Sequence, residues 1–154
     1  MKIYLASDHG GFYLKEQIKK WLAQNHYRFE DLGNTVLDPE DDYPDFALAV
    51  AVKVAKEADT TGILFCRSGA GMAFAANKVK GIRAVVPFDN KSVVHARMHN
   101  NANILCLSGD WFNFEKCTEL ISLWLSTLFN NEERHVRRIN KITNYEITIN
   151  NNVI

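Results

Sequence analysis

The sequence predicts an α/β protein, a three-layer αβα sandwich around a five-stranded parallel sheet. Three observations predict it. Short apolar runs alternate with amphipathic segments along the chain, without an internal repeat. The runs "GILF" and "ANILCL" are continuously apolar rather than alternating, as strands buried on both faces are. The 154 residues, 47% hydrophobic and 23% charged, suffice for one domain with its own core.

Each element has its own signal. "KIYLAS" (2–7) is a short β-like run. "FYLKEQIKKWLAQNH" (12–26) sets Leu14, Ile18, Trp21 and Leu22 on one helical face. "YRFEDL" (27–32) is a second strand, and residues 33–44, with Gly33 and Pro44, form a loop. "DFALAVAVKVAKEA" (45–58) is a helix with Asp45 as N-cap after Pro44. "TGILFC" (61–66) is the buried third strand. "GMAFAANKVK" is a helix, "GIRAVVPF" a strand, "NKSVVHARMHNN" a helix and "ANILCLS" the fifth strand. "FEKCTELISLWLSTLF" (114–129) is strongly amphipathic, and "NEERHVRRINKI" (131–142) reads as a last, basic helix. A single domain over 1–143 is expected. The polar tail 144–154 is expected to be frayed or an added edge strand.

Composition excludes several classes of function. Lys+Arg and Asp+Glu are 18 each, which argues against nucleic acid or an anionic membrane as the main partner. The three cysteines form no CxxC pair, so neither a zinc knuckle nor a disulfide framework is indicated. The first apolar run is broken by Asp8, too early for a signal peptide, and no run approaches the ~20 residues that span a bilayer. A cytoplasmic protein with reduced thiols is expected.

In open parallel sheets, sites lie outside the carboxyl ends of the strands. The first strand ends in Asp8-His9-Gly10-Gly11 and the third in Cys66-Arg67-Ser68-Gly69-Ala70-Gly71; His99-Asn100-Asn101 precede the fifth. The "GAG" at 69–71 lacks the third glycine of a dinucleotide fingerprint, because position 74 is Phe74. His95 and His99 have zinc-helix spacing, but Ala96 stands where that motif needs Glu. No Walker lysine and no GxSxG elbow occur.

Gly69 and Gly71 let backbone N–H groups approach an oxyanion or phosphate. A thiol beside such a loop is a candidate base or nucleophile. On position alone Cys66 is better read as a buried core cysteine. Asp8-His9 reads either as an oriented imidazole or as a turn. Arg134 and Arg138 lie one helical turn apart, which suits either a solvated face or a phosphate.

Together these pieces resemble the ribose-5-phosphate isomerase B family, which includes the galactose-6-phosphate isomerase subunits. The resemblance rests on "SDHGGFYLKEQI" (7–18), "DLGN" (31–34), "DYPDFA" (42–47), "GILFCRSGAGMAFAANKVKGIRA" (62–84), "HNNANIL" (99–105) and "ERHVRRINKI" (133–142). It implies a Rossmann-like fold and aldose–ketose isomerisation of a sugar phosphate, ribose 5-phosphate to ribulose 5-phosphate through a cis-enediolate, without metal or nucleotide cofactor. It implies Cys66 as the base that moves a proton between C1 and C2, and His99 as the acid that helps open the ring. Asp8, His9, the loop Arg67, Ser68, Gly69, Ala70 and Gly71, and Asn100 would bind substrate. Arg134 and Arg138 would hold its phosphate, and Tyr43 would wall the pocket. It also implies a homodimer or larger assembly, with His99 acting beside the partner's Cys66.

Three positions depart from the family pattern. Ser68 replaces a usual threonine. Arg67 replaces the first glycine of Cys-Gly-Thr-Gly, and Asp110 stands where the family has a phosphate-binding arginine. The two charge changes are expected to be linked, with Arg67 pairing with Asp110 or taking the phosphate itself. Isomerisation of another sugar phosphate, such as a hexose 6-phosphate, and a non-catalytic sugar-phosphate-binding module are the competing readings.

Overall fold

Alternation of side chains across five strands divides the protein into two cores. The computed structural model describes residues 1–152, the last four by their backbone alone. The strands and helices are β1 (Lys2–Ser7), α1 (Phe12–Gln24), β2 (Phe29–Asp31), α2 (Tyr43–Lys56), β3 (Thr60–Cys66), α3 (Ala70–Ala76), β4 (Ala84–Val85), α4 (Asn90–Asn100), β5 (Ile104–Ser108), α5 (Phe114–Ser126) and α6 (Glu133–Asn152). The sheet order is β2-β1-β3-β5-β4, with every pairing parallel. Ile3, Leu5, Ile63, Phe65, Leu105 and Leu107 face α1, α4 and α5. Tyr4, Ala6, Leu64, Cys66, Ile104 and Cys106 face α2 and α3. The three-layer sandwich is the one the sequence predicts, and the period of two assigns Cys66 to the α2/α3 side.

Several boundaries differ from the sequence reading, each for a physical reason. α2 begins at Tyr43 with Asp42 as N-cap, so Asp45 lies in the first turn. Pro44 fits there because the first helical N–H groups have no intrahelical partner to lose. The strand expected over "GIRAVVPF" shrinks to Ala84–Val85 at the sheet edge. Asn77 completes that edge: its amide donates to Ala84 O at 2.9 Å, and Ala84 N donates to Asn77 Oδ1 at 2.8 Å. On α1, Lys15 joins the buried face, whereas Trp21 is only half-buried.

The tail is the largest correction. Residues 143–152 are neither frayed nor a strand but continue α6. The i, i+3, i+7 spacing of Ile139, Ile142 and Glu146 keeps them along one side of a cavity that also meets β4. Glu146 accepts the Gly81 N–H at 3.1 Å, which fastens the extension to the body. Positions 153 and 154 of that tail lie outside the described residues. Among the described residues, no helix is long and apolar enough to cross a membrane.

The α5 side is fixed by Trp124, which is 1% exposed. Its indole N–H donates to Thr61 Oγ1 at 2.8 Å, and Thr61 donates to Asn103 O at 3.0 Å, joining α5 to the start of β3 and the approach to β5. Trp124→Ala should lower unfolding free energy by about 3–5 kcal/mol through the cavity it leaves. Trp124→Phe should cost less than Ala, because the ring is largely refilled and chiefly the indole hydrogen bond is lost. Urea denaturation followed by circular dichroism measures both.

Candidate active site

Parallel pairing brings the carboxyl ends of β1, β3 and β5 side by side. Backbone hydrogen bonds extend that alignment beyond the strands. Asp8 N donates to Phe65 O (3.3 Å), Gly109 N to Cys66 O (2.8 Å) and Asp110 N to Arg67 O (3.1 Å). Ser108 Oγ also donates to Arg67 O at 2.6 Å. The segments 8–11, 66–71 and 108–111 therefore form one patch.

Cys66 closes β3 and is buried, the residue 5% exposed. Gly69 N donates to its sulfur at 3.0 Å. That geometry needs Gly69 at φ +78, where a side chain is strained and an added Cβ would also meet Cys106 O at 3.1 Å. The Tyr43 ring lies directly on Gly71, whose added Cβ would fall 3.0 Å from it. Tyr43 therefore borders the loop. Ala70 N donates to Ser68 Oγ at 3.2 Å. Cys106 and Cys117 are buried as well, and burial pushes the Cys117 thiol up to about 12 and Cys106 higher still, so neither is a thiolate near neutrality.

Beside the thiol, Asp8 caps the single 3-10 turn His9–Gly11 by accepting Gly11 N at 3.1 Å. Burial raises the Asp8 pKa, against the opposing hydrogen bond from Gly11. Both the backbone N–H and Nδ1 of His9 lie 2.8 Å from Asp41 Oδ1. The hydrogen bond to Asp41 raises the His9 pKa, and Asp8 adds to it. Sequence reasoning missed Asp41, whose only signal is its place in the acidic stretch "PEDDYPD". Arg67 Nε donates to Asp110 Oδ2 at 3.2 Å, so the two charge changes against the family pattern pair within one chain, as expected. The pair is largely exposed, so its worth is in charge placement rather than stability.

The remaining predicted residues lie at the other end of the sheet. Cys66 pairs in register with Ser108, the last residue of β5. His99 and Asn100 end α4, just before β5 begins at Ile104. The length of β5, on the order of 15 Å, thus separates the two groups. Arg83 holds the end of α4, donating from Nε to the Asn100 and Asn101 carbonyls at 3.1 and 2.9 Å. The His99 ring meets those of His95 (4.7 Å) and His135 (4.5 Å), each at a tilt. Burial, with His99 beside it, lowers the His135 pKa. Asn100, Arg138 and His99 line a cavity of about 430 Å³ with Arg83, Ile142 and Glu146. Arg134 lies in the first turn of α6 and pairs through Nε with Glu132 at 2.8 Å. One end thus carries Asp8, His9, Tyr43 and the loop 66–71; the other carries His99, Asn100, Arg134 and Arg138.

Fold and strand-end chemistry together define an α/β protein of enzymatic type, with a thiol and imidazoles at its strand ends. The sequence model of the Ribose/Galactose Isomerase family matches residues 3–142, and the chain belongs to that family. A relative from Mycoplasma genitalium, named probable ribose-5-phosphate isomerase B, is 43% identical over 94% of this chain and 95% of its own. One from Mycolicibacterium smegmatis, named D-erythrulose-4-phosphate isomerase 2, is 36% identical over 95% of this chain and 97% of its own. The crystal structure of ribose-5-phosphate isomerase B from Mycoplasma genitalium with bound ribulose-5-phosphate superposes with a TM-score of 0.90 at 43% identity, covering 94% of this chain and 95% of that one.

The His9–Asp41 contact makes stability depend on pH in a defined direction. The folded state holds the His9 proton more tightly than the unfolded chain. The contribution is complete below the ordinary value of 6.5 and is lost as pH rises through the raised one. Asp41→Asn should therefore destabilise the protein more at pH 6 than at pH 9, as read by paired urea titrations.

Proposed function

We propose that this chain interconverts ribose 5-phosphate and ribulose 5-phosphate through a cis-enediolate, at sites each assembled from two copies of the chain. The observation that carries the proposal is the division of residues between opposite ends of the sheet. One end offers a thiol with a glycine loop, and the other an imidazole with arginines. Neither end holds a full set for isomerisation, but the two complement each other. Family membership and the ribulose-5-phosphate complex of the related enzyme support the substrate.

In this reading Arg134 and Arg138 of one copy anchor the phosphate with charge-assisted hydrogen bonds. His99 gives a proton to the ring oxygen as the anomeric hydroxyl loses its own to water. This breaks the C1–O bond and opens the furanose, and Asn100 holds a hydroxyl nearby. Cys66 of the other copy takes the C2 proton and returns it to C1, while the O2 proton passes to O1. Gly69 N and Ala70 N are engaged by Cys66 Sγ and Ser68 Oγ. The N–H groups of Ser68 and Gly71 are therefore the loop donors for the enediolate oxygens, where charge develops. Asp8 and His9 orient the substrate hydroxyls. The steps are proton transfers between side chains of the protein and the sugar. The domain 1–143 carries every residue named. Unpaired buried cysteines suit a reducing compartment such as the cytoplasm.

The Arg67–Asp110 pair favours a second reading, in which the sugar differs. It sets a cation and an anion beside the thiol, and the family includes a relative named for a four-carbon sugar phosphate. A panel of tetrose, pentose and hexose phosphates separates the two. Turnover of ribose 5-phosphate above the others is expected. Turnover of another sugar phosphate alone would keep the reaction and change the substrate, and no turnover of any would favour a binding module. On the preferred substrate, Cys66→Ala should lower kcat by about 10²–10⁴ with KM little changed. Full activity in that variant would remove Cys66 as the base.

A further inference from the structure

We propose that Lys15 is a positioning residue for His9, acting through the loop between β2 and α2. The side chain of Lys15 is fully buried on α1. Its ammonium donates to Asp31 Oδ2 and to the Asn34 carbonyl, both at 2.7 Å, and meets Glu16 Oε1 at 3.1 Å. These acceptors match the three donors of an ammonium. The Phe12 ring lies 5.3 Å from the nitrogen on the same helix.

From Asn34 the contacts run on to the site. Asn34 Nδ2 donates to Asp41 Oδ2 at 3.0 Å. The other oxygen of Asp41 takes the His9 backbone N–H and faces His9 Nδ1, each at 2.8 Å. Nδ1 is thereby committed to Asp41, which turns Nε2 into the nitrogen open to a ligand. Four residues from three parts of the chain thus form one line: Lys15, Asn34, Asp41, His9.

Neutralising Asp31 does not explain Lys15. Lys19 already meets the same Asp31 oxygen at 2.7 Å from a partly exposed position. Despite its burial, Asp31 is held below the usual carboxylate range by these two ammonium groups. What Lys15 adds is the bond to the Asn34 carbonyl. The segment 32–42 has no helix or strand of its own, so Asp41 is placed by such side-chain contacts.

The proposal rests on the reading of His9 as a substrate-binding residue, and its test separates the two. The full chain is prepared as wild type, Lys15→Met, Asn34→Ala and the double variant. Asn34→Ala cuts the line without disturbing the buried ammonium, so it serves if Lys15→Met does not fold. The first readout is the exchange rate of the His9 Nδ1 proton by nitrogen-edited NMR without substrate. The second is the KM and kcat for ribose 5-phosphate. Each single variant should speed Nδ1 proton exchange by about ten-fold and raise KM about ten-fold, with kcat within about two-fold. The double variant should be no worse than the more severe single one, because both cut the same line. An unchanged Nδ1 proton in folded Lys15→Met and Asn34→Ala would overturn the proposal, leaving Lys15 a structural anchor. If His9→Ala leaves KM unchanged, the substrate-binding reading of His9 fails, while proton exchange still decides whether Lys15 positions the ring.

Discussion

The parallel register of β1, β3 and β5 is the constraint on which the site depends. It carries three strand ends to one edge, where backbone N–H groups of 109 and 110 close onto the carbonyls of 66 and 67. The thiol, the Asp8-His9 turn and the Arg67–Asp110 pair are neighbours for that reason alone. The same register sends α4 back along the sheet and leaves His99 where β5 begins. One rule of topology thus gathers half of the candidate residues and sends the other half to the opposite end.

The fold was legible because its signals are local. Continuous apolar strands and helical periodicity are read within a few residues of each position. Failures came where a distant partner decides the outcome. The edge strand at 84–85 is short because the Asn77 side chain takes the place of a neighbouring strand. The polar tail stays helical because Glu146 reaches Gly81, far back in the chain. No window over residues 143–152 contains that contact.

The candidate site was legible residue by residue but not as an arrangement. Cys66, His99, Asp8 and the arginines stand out by type and by their place at element ends. The rule that sites lie at carboxyl ends of strands locates Cys66 and Asp8 and misses His99, which sits at the other end of the sheet. Asp41 is one acid among several in its stretch, and only the fold shows it against His9. Lys15 is less visible still, since a lysine in an amphipathic helix is read as solvated, yet it is fully buried. Arg67 and Asp110 are the opposite case: two departures from a pattern, of opposite charge, make a pairing one expectation from sequence alone, and the fold joins them.

The claim at the centre is that Cys66 and His99 act in one site contributed by two copies. Mixing tests it most directly. Cys66→Ala and His99→Asn chains, each inactive alone, are unfolded together and refolded as a mixture. Shared sites predict recovery of about a quarter of wild-type activity, because half of the random pairs are mixed and each mixed pair holds one intact site. No recovery from chains that pair normally would contradict a shared site and leave the two residues in separate roles.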